Sequence, residues 1–348
     1  MRRTTMKYYA GLDVSMEETW VCIMSEDGEI YHEGAVPTEI DDLALYLSSA
    51  GVEFDRVGLE AGPCSAWLYQ GLLEQGIPII CIDARHANAA LKVQNFKTDK
   101  NDARGIAHIM RTGWYRASHV KSLESQKIRV LLSARKILLS KRIDIDNQIR
   151  GMLKVFGHKV GQVTALQFKA RICELIEHDK ELTAYIDPLL SVRESIIIEW
   201  NRLDKTIRDL ACNDVLCRRF MSVPGVGPLT ALLFKATIDN PYRFKKSANI
   251  GVHLGLTPRK YASGEIDYNG GITKCGDTMM RTHLYEAAQV LMRRTSKNTA
   301  LKSWGMDVAK RTSKKCATVA VARKIAVILH RLWVDDTEFY DRGTSQQA

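Results

Sequence analysis

Hydrophobic and polar positions predict alternating strands and helices over the first 85 residues. Alternation from Tyr8 to Val14 predicts a strand that carries Asp13 near its end. Residues 19–24 and 29–34 predict two further strands, joined by a hairpin turn at residues 25–28. Helices are predicted at 39–49 and 65–75, and strands at 56–60 and 77–82, the last being a continuous apolar run suited to burial on both faces.

This order of elements is typical of a ribonuclease-H-like α/β domain. Three strands joined as hairpins come first, and strands linked through helices follow. We therefore expect one sheet and its helices to occupy residues 1–120.

From Ser122 to Phe220 the pattern changes to that of long helices. In a first segment apolar residues recur every seven positions, and in a second segment they follow a tighter a/d alternation. Residues 157–161 and a region containing Pro188 separate the two segments. These patterns predict a coiled-coil arm that pairs with itself or with another protomer, and a plain helical hairpin within one monomer stays open as an alternative. The repeated positions are Leu131, Leu138, Ile145 and Met152, then Ile196, Trp200, Leu203, Ile207 and Leu210.

A short Pro-Gly turn follows the helical segment. Met221 to Ala231 resembles the hairpin of a helix-hairpin-helix element, in which Gly225 and Gly227 would leave backbone N–H groups free to meet a phosphate. Short Gly-Pro turns between helices are common, so this element alone does not define a site. Residues 335–348 form a polar tail.

Charge is distributed unevenly along the 348 residues, although the chain as a whole has a net charge of +10. Residues 1–120 carry 11 basic and 17 acidic side chains, and residues 121–217 carry 17 and 13. Residues 218–331 carry 21 basic side chains and only 6 acidic ones. A strongly basic unit favours a polyanionic partner, and we expect nucleic acid.

Composition excludes several classes of protein. An apolar fraction of 45% can build real cores, so a disordered chain is excluded. The chain has no run of about 18 uncharged apolar residues and no apolar segment behind its basic N-terminus, so we expect a cytoplasmic protein with no membrane contact. The eight cysteines and nine histidines lack the spacing of zinc or redox motifs, and we expect reduced, mostly buried thiols.

Four carboxylates are candidates for metal chemistry: Asp13, Glu60, Asp99 and Asp102. Asp13 lies in a strand, where acids are depleted, and Glu60 ends a strand. Asp99 and Asp102 are three residues apart, so a helix projects both from one face. Carboxylates that converge on one crevice bind Mg²⁺, and paired ions can hold a phosphodiester. A sugar-kinase fold also places an Asp on its first hairpin, but the glycines that it needs for phosphate do not follow Asp13.

Ser263 is the candidate nucleophile in the basic region. It precedes Gly264 in a loop flanked by Arg259, Lys260 and Lys274, where a hydroxyl could meet a phosphate. The absence of a neighbouring histidine disfavours a hydrolase triad, and on composition alone a serine here is more often a turn residue. The predicted nucleic-acid-binding residues are Gly225, Gly227, Arg259, Lys260, Lys274 and Arg281.

The ordered set of these blocks resembles the insertion-sequence-110 family of bacterial transposases over about residues 8–295. The blocks are residues 11–15, Glu-Ala-Gly-Pro at 60–63, Lys-Thr-Asp-Lys-Asn-Asp-Ala at 97–103, Pro-Gly-Val-Gly-Pro at 224–228, Ser263-Gly264, and Gly-Ile-Thr-Lys at 271–274. One departure is the acidic stretch at residues 265–269, where relatives often carry basic residues.

The resemblance implies a RuvC-like catalytic domain (1–120), a coiled-coil arm (121–217) and a mainly helical transposase domain (218–334). It implies that Asp13, Glu60, Asp99 and Asp102 bind Mg²⁺ and that Ser263 becomes covalently joined to DNA. It also implies a structured bridge RNA that pairs with donor and target DNA. The expected assembly is a tetramer, a dimer of dimers, in which the acids of one subunit meet the serine of another.

Two other functions are consistent with the residues. A structure-specific nuclease would attack the phosphodiester with water and would not need Ser263. A non-catalytic nucleic-acid-binding scaffold would need none of the carboxylates. All three hypotheses predict binding that weakens steeply with salt, so binding alone does not separate them.

Overall fold

A computed structural model describes residues 6–92, 97–296 and 299–340, and the chain divides into the units Met1–Lys121 and Ser122–Ala348. The first unit is a mixed sheet with helices. Its strands are β1 (Tyr8–Val14), β2 (Glu18–Ser25), β3 (Ile30–Pro37), β4 (Phe54–Glu60) and β5 (Ile79–Ile82), and its helices are α1 (Ile40–Ser49), α2 (Ser65–Glu74), α3 (Ala84–Leu91) and α4 (Asp99–Thr112).

The five strands lie in the order β3-β2-β1-β4-β5. β1, β2 and β3 pair antiparallel as two successive hairpins, whereas β4 lies parallel to β1 and β5 parallel to β4. Tight turns can join only antiparallel neighbours, so each parallel step runs through a helix. The predicted sequence of hairpin strands followed by helix-linked strands is confirmed.

Helices cover the apolar residues of this sheet. Strand residues such as Leu12 and Leu59 share one core cluster with Leu43 of α1 and Leu68 of α2. Other strand residues, Tyr9 and Ile82 among them, pack with Ile106 and Met110 of α4 in a second cluster. The position of α4 is therefore fixed by buried apolar side chains.

The second unit is mainly helical. Its helices are α5 (Leu123–Lys154), α6 (Phe168–Ile176), α7 (Lys180–Asn213), α8 (Val215–Met221), α9 (Pro228–Ile238), α10 (Asn249–His253), α11 (Thr278–Arg293), α12 (Ala300–Arg311) and α13 (Lys314–Val334), and its strands are β6 (Pro258–Ser263) and β7 (Ile266–Ile272).

Helices α5 and α7 pack against each other within one chain as an antiparallel pair. Arg135 Nη2 of α5 lies 2.7 Å from Asp204 Oδ1 of α7, and Arg193 Nε of α7 lies 2.5 Å from Asp146 Oδ1 of α5. As the α5 residue number rises by eleven, the α7 partner number falls by eleven, which defines the antiparallel direction. A helical hairpin within the monomer is therefore present.

Pro188 lies inside α7, so the prediction that its region separates two helices is wrong. A proline inside a helix removes one backbone donor and leaves the carbonyl four residues earlier without its partner. Pro188 is exposed, so water can satisfy that carbonyl. The helix consequently continues to Asn213.

Apolar side chains from α8, α9, α11 and α13 form the largest core of the second unit, with Phe220, Phe234, Leu284 and Ile325 fully buried. Phe339 packs against this core, and its N–H donates to Ser222 Oγ over 2.9 Å. The start of the polar tail therefore contacts the helical core, and its residues 341–348 lie outside the described part of the chain.

No disulfide joins any of the eight cysteines, all of which lie among the described residues. The expectation that most of them are buried is wrong, because Cys173, Cys212, Cys275 and Cys316 are exposed. Cys173, Cys212 and Cys316 lie in helices and Cys275 in the loop before α11, positions that composition alone does not reveal. Among the described residues, no helix is long and apolar enough to cross a membrane.

Candidate active site

Two of the four candidate carboxylates lie at one edge of the sheet. Asp13 is the sixth of seven residues in β1, and Glu60 is the last residue of β4. In the parallel β1–β4 pair Leu12 is opposite Leu59, so Asp13 and Glu60 occupy the same level at the carboxyl ends of these strands. The sequence places both acids where open α/β sheets bind ligands.

Helix α4 contributes the other two carboxylates from its first turn. Thr98 caps the helix, its hydroxyl accepting the Asn101 N–H over 3.2 Å. Asp99 is exposed, whereas Asp102 is only 9% exposed. Acids in a first turn interact favourably with the helix dipole, which helps to offset the burial of Asp102.

Glycines in the sheet allow α4 to approach closely. A Cβ at Gly11 of β1 would lie 2.2 Å from the carbonyl oxygen of Ala103 and 2.3 Å from the backbone nitrogen of Ala107. A Cβ at Gly58 of β4 would lie 2.6 Å from Met110 Cγ. Only a residue without a side chain fits at Gly11, so this glycine controls how near the α4 carboxylates come to Asp13.

Ion pairs attach α4 to β3. Arg104 donates two hydrogen bonds to the carboxylate of Glu33, over 2.8 and 2.9 Å, and Lys100 Nζ lies 2.6 Å from Glu33 Oε1. The hydrogen bond from Arg104 is the largest cause that lowers the pKa of Glu33, to about 2. The two-pronged Arg–carboxylate geometry fixes the helix in register as well as in position.

Electrostatic coupling joins all four carboxylates. The pKa of Asp13 is raised to about 6, first by burial and then by the negative charges of Asp102, Asp99 and Glu60. The pKa of Glu60 is also raised, by burial and by Asp102. Asp13 and Glu60 therefore lie among negative charges that nearby cations do not fully compensate.

Two further residues belong to this cluster, and the sequence reasoning missed their role. Lys97 lowers the pKa values of Asp13 and Glu60 through its positive charge, and Asn88 Nδ2 of α3 donates to Glu60 Oε1 over 3.0 Å. Lys97 directly precedes Thr98, the cap of α4, so its position in the sequence could have indicated that it lies near Asp99 and Asp102. Asn88 carried no such signal, because its proximity to Glu60 depends on how α3 folds back over the sheet.

The chemistry of the cluster fits a hard divalent cation, since carboxylate oxygens are its preferred ligands. A cation would also neutralise the charge that raises the Asp13 pKa. Within the described residues, however, no three His, Cys, Asp or Glu side chains already stand in a metal-holding arrangement.

Ser263 lies in the second unit, at the end of a β-hairpin. It is the last residue of β6 and pairs with Ile266 of β7, and Gly264 takes up the turn with φ of +56°. Its setting is thus a two-residue hairpin turn between strands, which corrects the predicted loop. Tyr261 and Tyr268 stack across the hairpin with ring centroids 4.9 Å apart, and every residue of β6 is exposed. The Ser263 hydroxyl is accessible to a large substrate.

The predicted basic residues have different surroundings. Arg259 is exposed, and Lys260 Nζ lies 3.3 Å from Asp267 Oδ2, an acid of the stretch that departs from the family pattern. Lys274 is exposed and has a φ of +56°. Arg281 of α11 donates to the carbonyls of Gly276 and Leu254 and to the Thr278 hydroxyl. In this structure Arg281 therefore holds the loop before α11 in place.

The two predicted glycines also differ. Gly225 has a φ of +91°, and a Cβ there would lie 2.3 Å from the Ala287 carbonyl oxygen of α11, so this glycine permits close helix packing. Gly227 is the N-cap of α9, and a Cβ there would meet nothing within 4 Å. The open backbone around Gly227 is the part of this turn that a phosphate could reach.

Family comparisons match both units. A family model described as "Transposase", of the DEDD group of IS110, matches residues 10–157. A second model, described as "Transposase IS116/IS110/IS902 family", matches residues 217–303. The matched segments contain the four carboxylates and Ser263.

Individual relatives include the transposase for insertion sequence element IS1111A of Coxiella burnetii. It is 28% identical over 95% of this chain and 91% of its own length. A probable family 20 transposase of Pseudomonas aeruginosa is 28% identical over 70% of this chain and 74% of its own. Among solved structures, Thermus thermophilus RuvC matches 32% of this chain and 99% of its own with 14% identity and a TM-score of 0.23.

These findings define a transposase, an enzyme that cuts DNA during recombination. Both matched models are of one family, and together they span more than half of the chain. The chain belongs to the IS110 family of transposases.

Proposed function

We propose that this transposase cleaves DNA strands with Ser263 as the nucleophile and with Mg²⁺ held by Asp13, Glu60, Asp99 and Asp102. The observation that carries the proposal is the coupling of four carboxylates at the carboxyl edge of β1 and β4. The ion pairs of Glu33 lower the pKa of that carboxylate, whereas burial and the neighbouring acids raise the pKa values of Asp13 and Glu60. Clusters of perturbed titratable groups are characteristic of functional sites.

The residues would divide the chemistry between them. When bound, the cation would neutralise the phosphate charge and favour ionisation of the attacking hydroxyl. Ser263 Oγ forms a bond to phosphorus and releases its proton to water. The bond from phosphorus to one deoxyribose oxygen breaks, and that oxygen takes up a proton. DNA is left joined to the protein through a phosphoserine, which a second strand can resolve.

The strand order β3-β2-β1-β4-β5 supports a ribonuclease-H-like, RuvC-like fold for the first unit. In such a sheet the acids at the end of β1 and β4 lie beside each other, as proposed for the metal ligands. The antiparallel α5–α7 pair supports the proposal of a coiled-coil arm. Leu123, Val130 and Ile137 of α5 are exposed at seven-residue spacing, which suits contact with a second copy.

The proposed assembly is a tetramer in which the acid cluster of one copy serves Ser263 of another. A bridge RNA would pair with donor and target DNA, so that base pairing reads sequence while the protein holds backbones. The basic second unit supports such a polyanionic partner. Arg259, Lys260, Lys274 and the open turn at Gly227 are the proposed backbone contacts.

The test is a covalent adduct. Purified protein is incubated with Mg²⁺, DNA of the element's ends and RNA transcribed from the DNA flanking the gene, and adducts are detected on a denaturing gel. We expect an adduct with the native chain and with Ser140→Ala, which changes an exposed serine of α5, but none with Ser263→Ala. Peptide mapping should place the DNA on Ser263.

The same assay separates the proposal from a nuclease that uses water. Such an enzyme would still cut DNA as Ser263→Ala and would give no adduct. Asp13→Asn with Glu60→Gln should abolish cutting in either case, and unchanged cutting by that double variant would overturn the metal site.

A further inference from the structure

A large groove lies in the second unit between the β6–β7 hairpin and helices α12 and α13, with a volume of about 1060 Å³. This α12–α13 groove has a mainly apolar lining that includes Leu301, Val319 and Ile328. Such a volume slightly exceeds the usual range for small-molecule sites, about 300–1,000 Å³. The groove is therefore large enough for more than one planar ring.

Positive charge surrounds this apolar lining. Lys315, Arg323 and Lys324 line the groove, and no acidic side chain does so among the described residues. Lys324 Nζ stands 3.7 Å from the ring centroid of Trp304. Within the described ranges none of these three cations forms a salt bridge, so their charges are available to a ligand.

Apolar walls, aromatic rings and cations without a salt-bridge partner among the described residues together match one class of polyanion. Unstacked nucleobases need an apolar or aromatic surface, and the phosphates that link them need nearby cations. Trp304 and Tyr340, the latter 74% exposed, provide aromatic surface. A paired duplex hides its bases and would leave the apolar lining uncovered.

The groove is continuous with the hairpin that carries Ser263. Pro258 and Ile272 pair at the base of this hairpin and line the groove, while Ser263 ends the same strand. Five residue steps of strand, from Pro258 to Ser263, span about 17 Å, a distance that a single strand covers with a few nucleotides. A strand lying along the hairpin would thus reach both places.

We propose that the α12–α13 groove holds unstacked bases of single-stranded DNA a few nucleotides from the phosphate that Ser263 attacks. The choice of DNA rests on the proposed function of Ser263. The groove would keep the cut strand separated from its complement, which strand exchange requires.

Cys316 makes the proposal directly testable, because its exposed thiol lines the groove. The full chain carrying Ser263→Ala, which cannot cut, is treated with N-ethylmaleimide, and alkylation of each cysteine is followed by mass spectrometry. Cys173 of α6 is an exposed internal control. A 15-nucleotide oligo(dT) strand should slow alkylation of Cys316 at least fivefold and leave Cys173 unchanged, whereas a blunt duplex of equal length should protect neither.

Protection by the duplex, or none by the single strand, would overturn the proposal. Equal protection of Cys316 by single-stranded RNA would identify the guide RNA, rather than DNA, as the occupant of the groove. Protection that rises with protein concentration alone would identify a second copy of the chain as the occupant. Either result contradicts the proposal as stated.

Variants distinguish this groove from the catalytic proposal. Lys315→Ala with Lys324→Ala should abolish protection and reduce the slope of log binding constant against log salt by about 1.4, at ~0.7 for each phosphate contact. The control Lys205→Ala, on an exposed position of α7, should change neither. If the double variant still forms the Ser263 adduct and its binding constant keeps the native dependence on salt, the groove proposal fails and the catalytic proposal stands.

Discussion

Replacing Asp13 by asparagine should stabilise the metal-free protein. In the native chain partial burial, and then the charges of Asp102, Asp99 and Glu60, raise the pKa of the Asp13 carboxyl from an ordinary 3.8 to about 6. The uncharged amide of asparagine has nearly the same shape and removes this repulsion. Catalytic sites often hold unfavourable charge in this way, at the expense of stability.

The size of the effect follows from the pKa. At ~1.4 kcal/mol for each pH unit, a rise from 3.8 to about 6 corresponds to about 3 kcal/mol. Asp13 is only half-buried, and screening by solvent reduces the expected gain to ~1–2 kcal/mol.

The pH dependence has a definite sign. A carboxyl group with a raised folded-state pKa binds protons more strongly in the folded state, so the native chain loses stability as pH rises from about 4 to about 6. The Asp13→Asn chain does not lose stability in this way. Its gain in unfolding free energy over the native chain should therefore be absent near pH 4 and complete above pH 6.

Urea unfolding in the presence of EDTA measures this at pH 4 and pH 7.5. Glu53→Gln, which changes an exposed carboxylate before β4, is the matched control and should shift the midpoint little at either pH. Equal or lower stability of Asp13→Asn at pH 7.5, or a gain that persists at pH 4, would refute the reasoning.

Three further substitutions test the framework around the site. Gly11→Ala should lower the unfolding free energy by about 2–3 kcal/mol, because its Cβ would meet the backbone of α4 at 2.2 Å. The control Gly62→Ala, in an open turn, should change the unfolding free energy by less than ~0.5 kcal/mol in the same urea titration. Glu33→Gln should destabilise the chain at pH 7, because the pKa of Glu33 falls from 4.5 to about 2 in the folded state. The difference in stability between the native chain and the variant should begin to shrink below about pH 4.5 and vanish near pH 2. Calorimetric melting across this pH range measures that difference. Gly225→Ala should lower the melting temperature by several degrees and Gly227→Ala by much less, since only the first Cβ meets α11.

The sequence predicted the first unit well because its signals are local. Period-two alternation predicts β1, and the turn at residues 25–28 indicates the β2–β3 hairpin, without knowledge of the rest of the chain. Acids at the ends of two strands then indicated a shared edge, and the parallel register of β1 and β4 brings Asp13 and Glu60 to it. The approach of α4 depends on Gly11, whose importance appears only when the helix is in place.

Elsewhere the decisive information is not local. The sequence suggested that Pro188 divides two helices, but packing of α7 against α5 holds one continuous helix past it. The β6–β7 hairpin was hidden because its strands are exposed and carry Arg259, Lys260 and Asp267 rather than an apolar face. The hydrogen bond from Asn88 to Glu60 depends on where α3 lies relative to β4, which no local sequence pattern indicates.

Mapping where a divalent ion binds tests the central claim most directly. Fe²⁺ is substituted for Mg²⁺, and ascorbate with peroxide then generates hydroxyl radicals that cut the backbone near the ion. The account predicts cuts in three separate segments, around Asp13, Glu60 and residues 99–102, which excess Mg²⁺ suppresses and Asp102→Asn removes together. Cuts confined to one of these segments, or unchanged in Asp102→Asn, would contradict a shared metal site.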